Sequence, residues 1–240
     1  MIRPLSGITI VQVASEECGL GLRLSAALAG RIAADLGATV VLVEPPEGDP
    51  LRHVPPMVGD TSALFAFLSA GKRSVVLPPA ADALERLLGG AAALITDAGL
   101  ARQEALIAVL GSRLSPGLRR AAVMLTMLGA NAPVDDAVSE FTVMALGGLL
   151  DIVGEPDRQP LRLGGHQAAY AAGLAAYTGL AAALCSPAPG GDSDEPEIVR
   201  VSMLETVIWL NWKERDERLG YWPGAQPVRT IGRMAGDSLR

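Results

Sequence analysis

The chain has 240 residues, half of them hydrophobic and only 4% aromatic, with a formal net charge of −6. That length fits one large α/β domain, or one domain and a fragment of a second. The acidic balance argues against nucleic acid as a partner, so an anionic ligand needs local cations or helix N-termini. No uncharged apolar run reaches the roughly 20 residues that span a bilayer, and the longest, at 168–185, is rich in Gly and Ala and lacks a basic flank.

The opening MIRPLSG has no apolar segment of the kind a secretory signal carries. Two cysteines, Cys18 and Cys185, make no disulfide framework. A reducing, cytoplasmic setting is therefore expected, with no membrane partner.

Short, nearly continuous apolar runs at 8–13, 39–44, 74–77, 92–96 and 121–127 read as strands. Continuous rather than alternating runs suit a sheet buried on both faces. Between them lie helical patterns at 22–36, 62–70, 81–88 and 103–110, three of them closed by Gly37, Gly89 and Gly111. Strands alternating with helices of this size predict parallel β/α units.

After Asp136 the pattern changes to long helices at 138–153 and 167–184, the second built largely of Ala, Gly and Tyr. So many small residues allow close helix packing. SPAPGGDSDE at 186–195 reads as a surface loop, 197–201 as a further strand, and 204–219 as an amphipathic helix. The charge run KERDER in that helix is most simply a solvated face, and 220–240 has no pattern of its own. The predicted fold is α/β: a Rossmann-like parallel sheet with helices on both faces, followed by long helices.

In such a sheet, ligands bind outside the carboxyl ends of the strands. The first junction, ECGLGLRL, places Gly19 and Gly21 where a dinucleotide fingerprint would begin, and Glu44 ends the next strand. Leu24 stands in place of the third glycine, so the pair of glycines reads as a tight turn rather than a nicotinamide site.

Six stretches, in order over 4–210, resemble the class III CoA-transferases (formyl-CoA transferase, carnitine CoA-transferase and α-methylacyl-CoA racemase among them). PLSGITIVQV looks like that family's opening strand, and LAGRIAADLGATVVLVEPPEGDPLR like its first helix, second strand and Pro-rich loop. FLSAGKRSVVL is similar to its basic turn and third strand, and MALGGLLDIVGEPDRQPLRLGG to its Gly–Gly helix and Gly-Glu-Pro loop. AAGLAAYTGLAAAL and VRVSMLETVIWL resemble its long helix and late strand–helix pair.

The resemblance implies coenzyme A or an acyl-CoA as substrate, a small carboxylic acid as the second reactant, and no covalently bound cofactor. By matching position, the CoA would pass Glu17 and Cys18 after the first strand and Pro45 after the second. It would then meet Leu77 and Pro78 after the third strand, Thr96 and Asp97 after the fourth, and Met127, Gly129 and Ala130 after the fifth. Lys72 and Arg73 are the expected phosphate partners, with favourable termination of the preceding helix as their structural alternative. The family often has an arginine where Pro45 stands, which leaves Arg52 as a possible substitute. No residue set is assigned to a metal.

The family nucleophile is an aspartate four residues before a glycine at the start of the long helix. Here the glycine is Gly173, and the matching position is Ala169. Alanine offers no nucleophile, acid or base. Glu140 and His166 are the remaining catalytic candidates: His166 as a base near neutral pH, Glu140 by match to an acidic family position. Their structural alternatives are a helix cap and a first-turn acid on the helix dipole.

The resemblance also implies that residues 1–219 correspond to an incomplete large domain, with 220–240 a tail or the start of a linker to an absent small domain. A homodimer, or a second chain supplying the other half, follows. Three readings stay open: a CoA-transferase, a catalytically impaired subunit or binding module, and an acyl-CoA racemase or isomerase working by proton transfer.

Overall fold

The computed structural model describes residues 3–15, 19–78, 82–112, 119–129, 138–150, 152–153, 158–186 and 195–211. In chain order these form β1 (Thr9–Val13), α1 (Leu20–Asp35), β2 (Thr39–Glu44) and a 3-10 turn at Pro50–His53. A two-residue hairpin follows, β3 (Met57–Val58) and β4 (Thr61–Ser62), then α2 (Ala63–Ser69) and β5 (Arg73–Val76). The chain continues with α3 (Asp82–Gly89), β6 (Ala93–Thr96), α4 (Leu100–Ser112) and β7 (Ala121–Thr126). It closes with α5 (Glu140–Leu146), α6 (Gln167–Cys185), β8 (Glu197–Ser202) and α7 (Met203–Leu210).

Six strands make one parallel sheet in the order β5-β2-β1-β6-β7-β8. Chain direction across the sheet reverses between β1 and β6, the switch point at which doubly wound sheets open a crevice. Both faces are covered, as the continuous apolar strands require. Ile10, Ile95, Val123 and Leu125 pack with α1, α2, α5, α6 and α7 on one side. Val11, Val13, Val43, Leu94 and Met124 pack with α3 and α4 on the other.

The small residues of α1 and α6 let these two helices meet closely. Ser25 Oγ donates to the carbonyls of Gly21 (3.0 Å) and Ala169 (2.8 Å), tying one helix to the other. A methyl on Gly173 would stand 2.8 Å from the Ser25 carbonyl oxygen and 3.0 Å from Leu28 Cβ, so only glycine permits this approach. Among the described residues α6 is the one helix long and apolar enough to cross a membrane. Here that surface lies against α1, α7, β7 and β8.

Two predicted helices differ from the structure. The segment at 138–153 is helical only over Glu140–Leu146, because Gly147 must let Val207 approach and Gly148 turns the chain at φ +84°. The helix predicted at 204–219 starts one residue earlier and is followed to Leu210; residues 212–219 lie outside the described set. Ser62 caps α2, its Oγ accepting from the Phe65 amide at 3.2 Å.

Candidate active site

Two adjoining regions occupy the carboxyl edge of the sheet. The first is a crevice of about 340 Å³ on the α3/α4 side, between the ends of β1, β2 and β5 and the start of α4. Ala14, Ser15, Pro45, Leu77, Pro78 and Arg102 are among its lining residues. Three of the residues expected along the CoA path, Pro45, Leu77 and Pro78, are thus brought together.

Behind the crevice runs a buried ionic lattice. Arg23 Nε donates to Asp97, and Nη1 donates to Asp49 Oδ1 at 2.9 Å. The Ser15 amide donates to the other Asp97 oxygen at 3.0 Å. Burial works against the charge on Arg23, but Asp97 and Asp49 outweigh it and its pKa rises. Burial likewise pushes the Asp97 carboxyl up, with Arg23 pulling the other way. Arg23 Nη2 is buried without a hydrogen-bond partner among the described residues.

Beside this lattice, Glu44 is only 1% exposed and saturated with donors. Arg52 reaches both of its oxygens at 2.7 Å, the Asp49 amide donates at 2.8 Å, and Ser74 Oγ adds another bond. The Arg52 guanidinium also lies over the Phe65 ring, 4.1 Å from its centroid. These bonds hold the Glu44 carboxyl at about 2, the Arg52 hydrogen bond being the largest cause and burial opposing it. Glu44 therefore organises the Pro-rich loop and has no oxygen left for a ribose.

The remaining predictions for the CoA path fall elsewhere. Thr96 and Asp97 are fully buried, Thr96 Oγ1 accepting from the Ala98 amide at 3.2 Å. Met127 and Gly129 stand after β7, near the start of α7: the Leu204 amide donates to the Met127 carbonyl at 2.9 Å. Glu17, Cys18 and Ala130 lie outside the described residues.

Lys72 and Arg73 are not brought to the crevice. They stand at the start of β5, whereas the crevice is at the opposite end, by Leu77 and Pro78. Lys72 instead turns under α1, where Nζ donates to Gln12 Oε1 and the Ala27 carbonyl, both at 2.8 Å. Burial pushes its amine down to about 7, with Arg31 adding to the fall and Asp49 opposing it. The GKR turn gave no sign of this, since a lysine after a turn ordinarily faces water.

The second region lies where the starts of α1, α5, α6 and α7 meet. A Cβ on Gly21 would stand 3.5 Å from Glu140 Cβ and 3.2 Å from Met203 Cε, so the second glycine of the G-x-G serves helix packing. Glu140 is the centre of this region. Its Oε1 accepts from the Ala169 amide at 3.2 Å, and its Oε2 lies 2.7 Å from His166 Nδ1. Arg162 Nη2 approaches the same Oε2 at 3.7 Å.

The Glu140 side chain is 7% exposed and that of His166 25%. Tyr170 meets the imidazole edge-on, with ring centroids 6.5 Å apart, and its hydroxyl pKa is raised by burial and by the charge of Glu140. Ala169 is wholly buried, its methyl in the core beneath α1.

The two catalytic candidates are thus one unit, bonded across 26 positions of sequence. Arg162 and Arg102 were missed. Arg162 lies in a Pro-punctuated loop with no pattern to single it out, whereas the position of Arg102, just inside a helix that follows a strand, was the available signal.

The model of CoA-transferase family III matches residues 5–234, and the chain belongs to that family. It is 28% identical to a succinate–glutarate CoA-transferase of Agrobacterium fabrum, over 95% of this chain and 57% of that protein. It is 40% identical over 107 residues to "Probable CoA-transferase Rv1866" of Mycobacterium tuberculosis, covering 43% of this chain and 14% of that protein. Its fold is similar to that of a CAIB/BAIF family protein from Brucella suis, with TM-score 0.78 at 23% identity, over 96% of this chain and 60% of that one. The chain therefore spans less than two thirds of each of these proteins.

Proposed function

We propose that the chain binds coenzyme A or an acyl-CoA along the carboxyl edge of the sheet, and moves CoA between an acyl-CoA and a small carboxylic acid. The observation that carries this is the crevice at the switch point, which gathers Ala14 and Ser15, Pro45, and Leu77 and Pro78 from the junctions after β1, β2 and β5. Arg102 supplies the cation for the phosphates. The thioester end runs toward Glu140 and His166. The protein works in the cytoplasm as a dimer or with a second chain; the exposed, unpaired Cys185 suits a reducing compartment.

Titration calorimetry of the whole chain with CoA tests the binding. Exchange between acetyl-CoA and a panel of labelled carboxylates then tests the transfer. Heat of binding with no exchange would favour a second reading, a subunit that binds CoA without catalysing transfer. Ala169 supports that alternative, because a methyl cannot carry the acyl group.

A further inference from the structure

We propose that the Glu140–His166 pair gives this chain a second activity, hydrolysis of the acyl-CoA thioester by water. The inference rests on the reading that acyl-CoA binds here, and it follows from how Glu140 is held. A carboxylate that attacks a thioester needs a free oxygen. Both oxygens of Glu140 are engaged, Oε1 by the Ala169 amide and Oε2 by His166 Nδ1, and the side chain is almost wholly buried. Glu140 is therefore placed to orient a base.

Glu140 Oε2 accepts a hydrogen bond from Nδ1–H, which leaves the Nε2 lone pair pointing away from the pair. His166 keeps a quarter of its side-chain surface in contact with solvent, so part of the ring meets water. Tyr170 against the ring edge restricts how far the imidazole turns. A base within reach of water, itself oriented by a third group, is the arrangement that general-base hydrolysis requires.

The step balances without an oxidant or reductant. His166 Nε2 takes one proton from water as its oxygen adds to the thioester carbonyl. Collapse of the tetrahedral adduct breaks the carbon–sulfur bond, and the proton on Nε2 passes to the departing sulfur. The products are one carboxylic acid and one CoA thiol. Glu140 acts through His166 and is a positioning residue.

The test uses the whole chain with acetyl-CoA and succinyl-CoA as probes, following free CoA by chromatography. Free CoA is expected without any acceptor, at a rate that added carboxylate leaves unchanged. His166→Gln should lower that rate by about a hundredfold while leaving CoA affinity and circular dichroism unaltered. Glu140→Gln should lower kcat for hydrolysis about tenfold and leave KM and CoA affinity unchanged, because the imidazole loses the acceptor that orients it. Arg162 and Tyr170, the other titratable groups at this pair, remain in both proteins.

Turnover in ¹⁸O-water should label the product carboxylate and leave the Glu140 peptide unlabelled. Label on Glu140, a glutamyl–CoA adduct, or hydrolysis that survives His166→Gln would overturn the proposal. CoA that binds but is released only to an acceptor overturns hydrolysis and leaves the transferase reading standing. Absence of CoA binding overturns both.

Discussion

Replacing Lys72 by Met removes a buried amine whose pKa is lowered from 10.5 to about 7. Near pH 8 the folded amine is largely neutral, and its two hydrogens match its two acceptors, Gln12 Oε1 and the Ala27 carbonyl. The unfolded chain keeps the ordinary value, so between pH 7 and 10.5 it binds more protons than the folded chain. Stability then rises with pH through that window and is flat below it. One pKa unit corresponds to about 1.4 kcal/mol, so from pH 7 to 9 the wild type should gain roughly 2–3 kcal/mol relative to Lys72→Met.

Urea unfolding of both proteins at pH 6, 7, 8 and 9 measures this as a widening gap between midpoints at constant slope. Other groups that titrate in the same range cancel in the difference. The unsatisfied Gln12 oxygen left in the variant adds a cost that does not vary with pH. Parallel stability curves for the two proteins would refute the reasoning, because they would show that the amine keeps its charge beneath α1.

Glu44 should behave oppositely: its folded pKa of about 2 lies below the ordinary 4.5. Its stabilisation is present above pH 4.5 and lost as pH falls toward 2, so Glu44→Gln should flatten acid unfolding in that range, as followed by circular dichroism. Gly173→Ala forces a methyl to within 2.8 Å of the Ser25 carbonyl oxygen and should cost about 1–3 kcal/mol in a thermal melt. Gly164→Ala meets open space and should change the melt little. Arg102→Ala should weaken CoA binding about tenfold while leaving pantetheine affinity unchanged, by calorimetry; equal losses for both would remove Arg102 from the phosphates.

The central strands were legible because they are short, apolar runs set between helical patterns, several of them closed by glycine. Thr39–Glu44 has the predicted bounds, and its continuous apolar run divides between the two cores. Helix ends were less legible where a tertiary contact decides them. Apolar spacing runs on to Val153, but α5 stops at Leu146 since Gly147 must admit Val207 from another helix.

In the site, Glu140 and His166 were individually recognisable, but their bond spans two helices and a loop. Nothing local in either segment encodes it. Lys72, read as a phosphate partner, shows the reverse: a cation beside a turn is expected to face a ligand, and only the tertiary fold turns it inward to Gln12 and the Ala27 carbonyl.

The lattice behind the crevice has a kinetic consequence. Arg23 and Asp49 are 26 positions apart, whereas Ser15 and Asp97 are 82 apart. Closing the longer loop costs about 1 kcal/mol more in chain entropy, and the parallel pairing of β1 with β6 is non-local, which slows folding. The switch point is therefore expected to assemble after the more local Arg23–Asp49 contact. During refolding, helical signal should return before the crevice forms, a delay that stopped-flow circular dichroism and CoA binding together would measure.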